Sequence, residues 1–376
     1  MRSNPFRGRW ALGLLIVLLA LVALGLREPD PAAAPADAPV AQAAAPPAAQ
    51  VPAAPEAPRA ARRRPTATST ATPLPTATPS PTAGPDATPT ARPAGAPLRV
   101  GLQAGHWKSS ELPDELKRLR TSSGANAAGY READVNLDIA QRVARLLQSR
   151  GLIVDVLPAT VPPGYDADAF VAIHADGSSS GGSRGFKIAT PWRTSRASQH
   201  LADAMTAEYK SATGLPQDSA ITFNMKGYYA FNNRRHTHAV LKTTPSAIIE
   251  MGFLTSAADR AVMIGRAGDV AVGIANGIIR YLNERDPSDG AALMPPDFKT
   301  QRPLYAAGLD VRAAPSDKAK ILKHVDADGR IFVFQERDGW YQGVVRGDFR
   351  VVGWVRKDQV TATDDPPPTP PPATDS

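Results

Sequence analysis

Residues 29–97 set the limits on what this chain can fold into. The segment is Pro, Ala and Thr almost throughout and holds 18 of the 37 prolines. Hydrophobic residues other than alanine are rare in it, so it cannot bury enough surface to offset the entropy of folding. Proline stiffens such a chain; its reach lies between roughly 45 Å as a coil and 200 Å fully extended. Ordered structure is therefore expected in two units downstream, at 98–286 and 300–362. A second proline-rich stretch, "DDPPPTPPPATDS", predicts a disordered tail over 363–376.

Upstream of the linker, Arg2, Arg7 and Arg9 precede "ALGLLIVLLALVALGL", 16 uncharged residues at 11–26. A basic flank before an apolar run predicts a signal-anchor or signal peptide over 1–28, with everything after it extracytoplasmic. The formal charge of +7 favours an anionic partner. With an exported chain, that partner is expected to be the cell envelope and not nucleic acid. "RAARRR" (59–64) reads as a solvated charge run. There is no cysteine, which excludes disulfides and thiolate metal sites. A metal would have to be held by His, Asp or Glu, which points to hard or borderline ions such as zinc.

The first unit alternates strand and helix patterns. "LRVGLQ" (98–103), "LIVDVL" (152–157), "AFVAIH" (169–174), "GFKIAT" (185–190) and "SAIIEM" (246–251) read as strands. "ADVNLDIAQRVARLLQSRG" (133–151) and "ASQHLADAMTAEYKSA" (197–212) read as helices, with two more between 256 and 284. The pattern predicts an α/β fold, a mostly parallel twisted sheet flanked by helices, with functional groups at the carboxyl ends of strands. The second unit has short strands at close spacing, which predicts a small all-β barrel.

Four polar residues interrupt or end apolar runs in the first unit. His106 follows the first strand in "GLQAGHWKS", and Glu132 opens a helix in "YREADVNL". His174 ends the strand of "FVAIHADGS", and Glu250 lies inside the apolar strand of "SAIIEMGF". A carboxylate in such a run is costly to bury without a partner, and a metal-centred site at the sheet edge accounts for all four positions. Two imidazoles and a carboxylate leave a zinc ion one open position. A further carboxylate can shuttle protons, including the one an amine leaving group needs.

"AGHW", "EADVNL", "VAIHAD" and "SAIIEMGFLTSAAD" resemble the zinc-dependent N-acetylmuramoyl-L-alanine amidases of the amidase-3 type, in the family's order and over nearly all of 98–286. The resemblance implies one Zn²⁺ held by His106, Glu132 and His174, with Glu250 as the catalytic carboxylate. It implies a cell-wall hydrolase that cuts the amide between the lactyl group of N-acetylmuramic acid and L-alanine of peptidoglycan stem peptides. A zinc peptidase or deacylase on another wall amide, or a wall-binding protein without turnover, are the alternatives. No activating partner is specified.

Two departures stand out. Trp107 and Lys108 replace the glycines usual after the first histidine, and Asp176 stands where Asn is common. Asp176 is expected to act indirectly. The insert at 107–129 is expected to be surface decoration, with "SSELPDELKRLR" as a short capped helix; as a lid it would bring Glu111 or Glu115 toward the metal. On a helix Asp134 diverges from Glu132, so only one of them faces the metal, and Glu132 is the one expected. His236 and His238 alternate as if on a strand; exposed loop or strand positions are expected, with the cleft or a stray metal as the alternative. Tyr228, Tyr229 and Phe231 suit stacking on glycan or peptide, and Arg234 and Arg235 suit pairing with carboxylates.

In the second unit, "LDVRAAPSDKAKIL", "ERDGWYQGVV" and "VVGWVRKDQV" are similar to bacterial SH3-like (SH3b) domains. That resemblance implies a wall-binding module, with Trp340, Tyr341 and Trp354 as groove or core residues.

Overall fold

The computed structural model describes residues 95–179, 182–345 and 350–364. The expected membrane segment at 11–26, the linker as far as 94 and the tail from 365 lie outside the described residues. β1 (Arg99–Ala104) leads into a small hairpin, β2 (Asn126–Ala127) and β3 (Tyr130–Arg131), then α1 (Glu132–Gln148) and β4 (Ile153–Leu157). β5 (Ala169–Asp176), β6 (Lys187–Ala189), α2 (Arg196–Thr213) and a short α3 (Phe223–Lys226) follow. β7 (Ser246–Phe253), α4 (Ala257–Met263), α5 (Ala267–Glu284) and a single-turn α6 (Gly290–Leu293) complete the first unit.

The sheet order is β4-β1-β5-β7-β6, parallel except for β6, which runs antiparallel to β7. Continuous apolar runs formed these strands because both faces are covered. On one face Val100, Leu102, Val171, Ile173 and Ile249 share a core with α1, α2 and α5. On the other, Phe170, Ala172 and Ile248 pack against Leu116, Val161, Met225, Tyr229 and Val240, which come from short helical turns and loops. Side chains alternate along a strand, so Gln103, His174 and Glu250 all belong to this second face. The register sets His174 directly opposite Glu250, and Glu250 directly opposite Lys187. A polar row therefore crosses the sheet inside an otherwise apolar layer.

The insert after β1 is not the expected capped helix. It forms two 3₁₀ turns, Ser109–Glu111 and Asp114–Leu119. Pro113 disfavours helical backbone at the residue before it, and Leu112 is extended at ψ 143°. Nor is it decoration, because Leu112 and Leu116 are buried in the second core.

The second unit is all-β, as its spacing predicts. β8 (Gln301–Pro303), β9 (Leu309–Arg312), β10 (Ile321–Val325), β11 (Ile331–Arg337), β12 (Trp340–Val345), β13 (Val351–Arg356) and β14 (Val360–Ala362) form one sheet, in the order β10-β9-β13-β12-β11-β8-β14. Asp338 and Gly339 join β11 to β12 with φ of 49° and 80°, as a two-residue hairpin loop requires. Trp340 and Trp354 are buried, with the guanidiniums of Arg356 and Arg337 over their rings. Neither indole therefore offers a free stacking face. Order also runs past the expected boundary at 362, since the Thr363 amide donates to the Thr300 carbonyl. Arg193 docks this unit on the first. Its guanidinium donates to the carbonyls of Val333 and Phe298 and lies 4.4 Å from the Phe332 ring centre, while Trp192 stacks on Phe334 at 4.4 Å.

Candidate metal centre

Three side chains meet where β1, β5 and α1 come together. Among the described residues, His106, Glu132 and His174 form a group whose ligand atoms lie within 4.8 Å of one another. His106 sits one residue past Gly105, which follows β1, and has φ 61°, a left-handed backbone that non-glycine residues seldom adopt and that recurs at functional sites. His174 is 6% exposed and Glu132 4%. Glu132 Oε1 lies 3.4 Å from His106 Nε2 and 3.2 Å from His174 Nδ1.

Each group is held from behind. The His106 ring donates from Nδ1 to the Ser122 carbonyl at 2.8 Å, which leaves the Nε2 lone pair facing Glu132. Glu132 accepts from the amides of Ala125 and Ala175 at 2.7 and 3.1 Å and from Asn136 Nδ2 at 3.2 Å. Asn136 also donates to the Gly105 carbonyl at 3.1 Å. Burial alone would raise the Glu132 pKa. The hydrogen bond and charge of His174, the charge of His106 and the Ala125 amide overcome it and hold the pKa at about 2. Burial lowers the pKa of His106. For His174 burial is outweighed by the carboxylates of Glu132, Glu250 and Asp176, and the pKa rises.

Ser122 and Ala125 belong to the insert, so its C-terminal part walls the site. Glu115 does not approach the triad. It accepts from the amides of Thr237 and His238 and pairs with the His238 ring at 2.7 Å. Glu111 instead pairs with Lys108 at 3.6 Å.

Glycine is required at the centre. A Cβ on Gly105 would lie 2.3–2.5 Å from three atoms of the His174 ring. One on Gly124 would lie 2.6 Å from Glu132 Oε2 and 2.8 Å from His106 Cδ2. Gly105→Ala is therefore expected to push His174 off the triad and abolish divalent-metal binding, measured by calorimetric titration. Wild-type binding in that variant would mean that His174 is not part of the metal group.

Glu250 lies beside the triad on β7, outside its hydrogen-bond network. It is half-buried, and its Oε2 is enclosed without a hydrogen-bond partner. Burial raises its pKa from 4.5 to about 8. In the metal-free protein the folded state therefore holds a proton here that the unfolded state loses near pH 4.5. This group's stabilising contribution is complete below that pH and is lost as pH rises toward 8. In chelator, Glu250→Gln removes the pH-dependent loss. Its stability advantage over wild type should grow between pH 5 and pH 8 by roughly 3–4 kcal/mol in the limit. Urea unfolding at the two pH values measures this, and equal pH slopes would refute it.

Sequence reasoning places Asp134, His236, His238, Arg234 and Arg235 outside the centre or in doubt. The structure pairs Asp134 with Arg131 at 2.7 Å and Arg234 with Asp297. Both histidines lie in a loop, and His238 is partly exposed, but His236 is buried near Tyr229, contrary to the expected exposure. Tyr228 and Tyr229 are drawn into hydrogen bonds to Gln103. Sequence reasoning misses Lys187, which is 4% exposed, bonds Asp176 and lies 3.3 Å from Asp218. A lysine inside the apolar run "GFKIAT" carries the same signal that singles out Glu250.

Residues 100–280 match the family model Amidase_3, N-acetylmuramoyl-L-alanine amidase. No curated protein matches the chain. Among solved structures, the chain is similar to the catalytic domain of CwlV, an N-acetylmuramoyl-L-alanine amidase from Bacillus (Paenibacillus) polymyxa var. colistinus. Identity is 23%, with 50% of this chain and 99% of that chain covered and a TM-score of 0.36. It is also similar to Ami1 from Mycobacterium smegmatis, at 20% identity, 50% and 98% coverage and a TM-score of 0.38. The amidase from Clostridium difficile 630 matches at 19% identity, 50% and 99% coverage and a TM-score of 0.37.

Proposed function

From the premise that residues 100–280 are an Amidase_3 domain, an N-acetylmuramoyl-L-alanine amidase acting on peptidoglycan, we propose that its centre is a zinc site with Glu250 as the proton carrier. The observation that carries this is the convergence of His106 Nε2, Glu132 and His174 with no donor between His106 and Glu132. Lone pairs that face one another repel unless a cation lies among them, and two nitrogens with one carboxylate suit zinc. Bound zinc supplies Lewis acidity and lowers the pKa of water at neutral pH.

The chain's own groups do the rest. Glu132, fixed by three donors, keeps its charge at every working pH. Glu250 takes a proton from the attacking water on its carboxylate and returns it to the leaving nitrogen of L-alanine. Its raised pKa, near 8 before any cation is bound, puts it within reach of both states.

The chain is read as exported, held by residues 11–26, with 29–97 as a spacer from the membrane. The C-terminal sheet, which shares motifs with SH3b domains, is read as a wall-binding module. Digestion of purified peptidoglycan tests the activity. The expected product has a new N-terminus on L-alanine, and a chelator should stop its release. New termini at any other stem residue would replace the amidase reading with a peptidase.

A further inference from the structure

The geometry assigns Tyr228 and Gln103 a joint role, in which they set which nitrogen of His174 is free to hold the metal. This rests on the zinc reading above and extends it beyond the three ligands.

The Ala159 carbonyl can only accept. Gln103 is fully buried on β1, and one end of its amide lies 2.9 Å from the Ala159 carbonyl. A carbonyl accepts, so that end is Nε2, which also donates to Tyr229 Oη at 2.8 Å. The Tyr229 hydroxyl donates to the same Ala159 carbonyl, so its lone pairs are free to receive the amide. Gln103 Oε1 must then point the other way, where Tyr228 Oη lies at 2.8 Å. An amide oxygen accepts, so the single proton of Tyr228 is committed to it.

Tyr228 therefore turns a lone pair toward its other neighbour, His174 Nε2, at 3.4 Å, with the two rings edge to face at 82°. Only a protonated Nε2 can bond to that lone pair. The proton of the neutral imidazole then sits on Nε2, and the Nδ1 lone pair faces Glu132 Oε1 at 3.2 Å. His106 arrives at the same condition from the opposite nitrogen, with Nδ1 donating to Ser122 and Nε2 free. The two histidines thus present different nitrogens, each selected by its partner on the far side. Without an ion between them, a hydrogen on Nδ1 would bridge that same 3.2 Å gap to Glu132.

Tyr228 is thus a positioning residue, and Gln103 positions Tyr228. The test is zinc affinity by competition with a chromophoric chelator. Tyr228→Phe keeps the ring and removes the acceptor; its zinc Kd should rise 10–100-fold, the usual loss when the partner of a ligating histidine is removed. Gln103→Met frees the phenol proton to turn toward Nε2 and favour the wrong tautomer, so its Kd should rise likewise. Wild-type zinc affinity in both variants overturns the assignment. Long-range ¹⁵N spectra of the zinc-loaded wild type decide it independently of folding in any variant. Protonated Nε2 with ligated Nδ1 is expected at His174, and the reverse refutes the inference. A wild-type protein that takes up no zinc overturns the centre itself, which is a separate outcome from a zinc site indifferent to Tyr228.

Discussion

Glu250→Gln should lose turnover by about 10³-fold or more while keeping its full zinc content, in line with removal of a proton carrier. The substitution is close to isosteric, and Glu250 lies outside the triad whose ligand atoms meet within 4.8 Å. Its Oε2 has no hydrogen-bond partner to strand, so the fold should tolerate the amide. The amide can neither take the proton of the attacking water nor return one to the leaving nitrogen. The assay is release of stem peptides from purified peptidoglycan, with zinc measured by atomic absorption on the same samples. Activity within tenfold of wild type would remove Glu250 from the reaction. Loss of zinc along with activity would instead make it a ligand.

Glu132→Ala should fail differently, by losing the metal, the activity and part of the stability together. The carboxylate is 4% exposed and satisfies Ala125 N, Ala175 N and Asn136 Nδ2. Truncation leaves these buried donors without an acceptor, at about 1–3 kcal/mol for each that water cannot reach. Outer partners of ligands already cost 10–100-fold in metal affinity, and loss of a ligand itself should exceed that range. The purified variant should contain no zinc, and zinc should no longer raise its melting temperature. Retained zinc with a normal melting shift would mean that another oxygen, not Glu132, completes the group.

These two outcomes separate what each residue type announces from what its neighbours do with it. The four polar positions are legible because each interrupts or ends an apolar pattern, where a charge without a partner is costly. Asp134 can be set aside because residues two apart on a helix face different ways, and it pairs with Arg131 in the structure. The sheet can be anticipated as mostly parallel, with one antiparallel edge added by β6. The insert at 107–129 is harder to read because its sequence looks polar and helical. Its role depends on two buried leucines, the Ser122 carbonyl and the Ala125 amide, and backbone groups leave no trace in residue type.

The amino-acid sequence by itself determined the alternation of strands and helices, the exclusion of thiolate chemistry and the set of candidate donors. Each follows from composition or from a period of two or 3.6 residues, which are local properties. Only the tertiary structure decided which donors meet, and how their protons are arranged. Gln103 and Tyr228 are 125 residues apart, and His106 reaches the Ser122 carbonyl across a turn that no periodicity predicts. Hydrogen bonds of that kind are directional and close only when the chain is packed, so side-chain protonation at this site is a property of the fold.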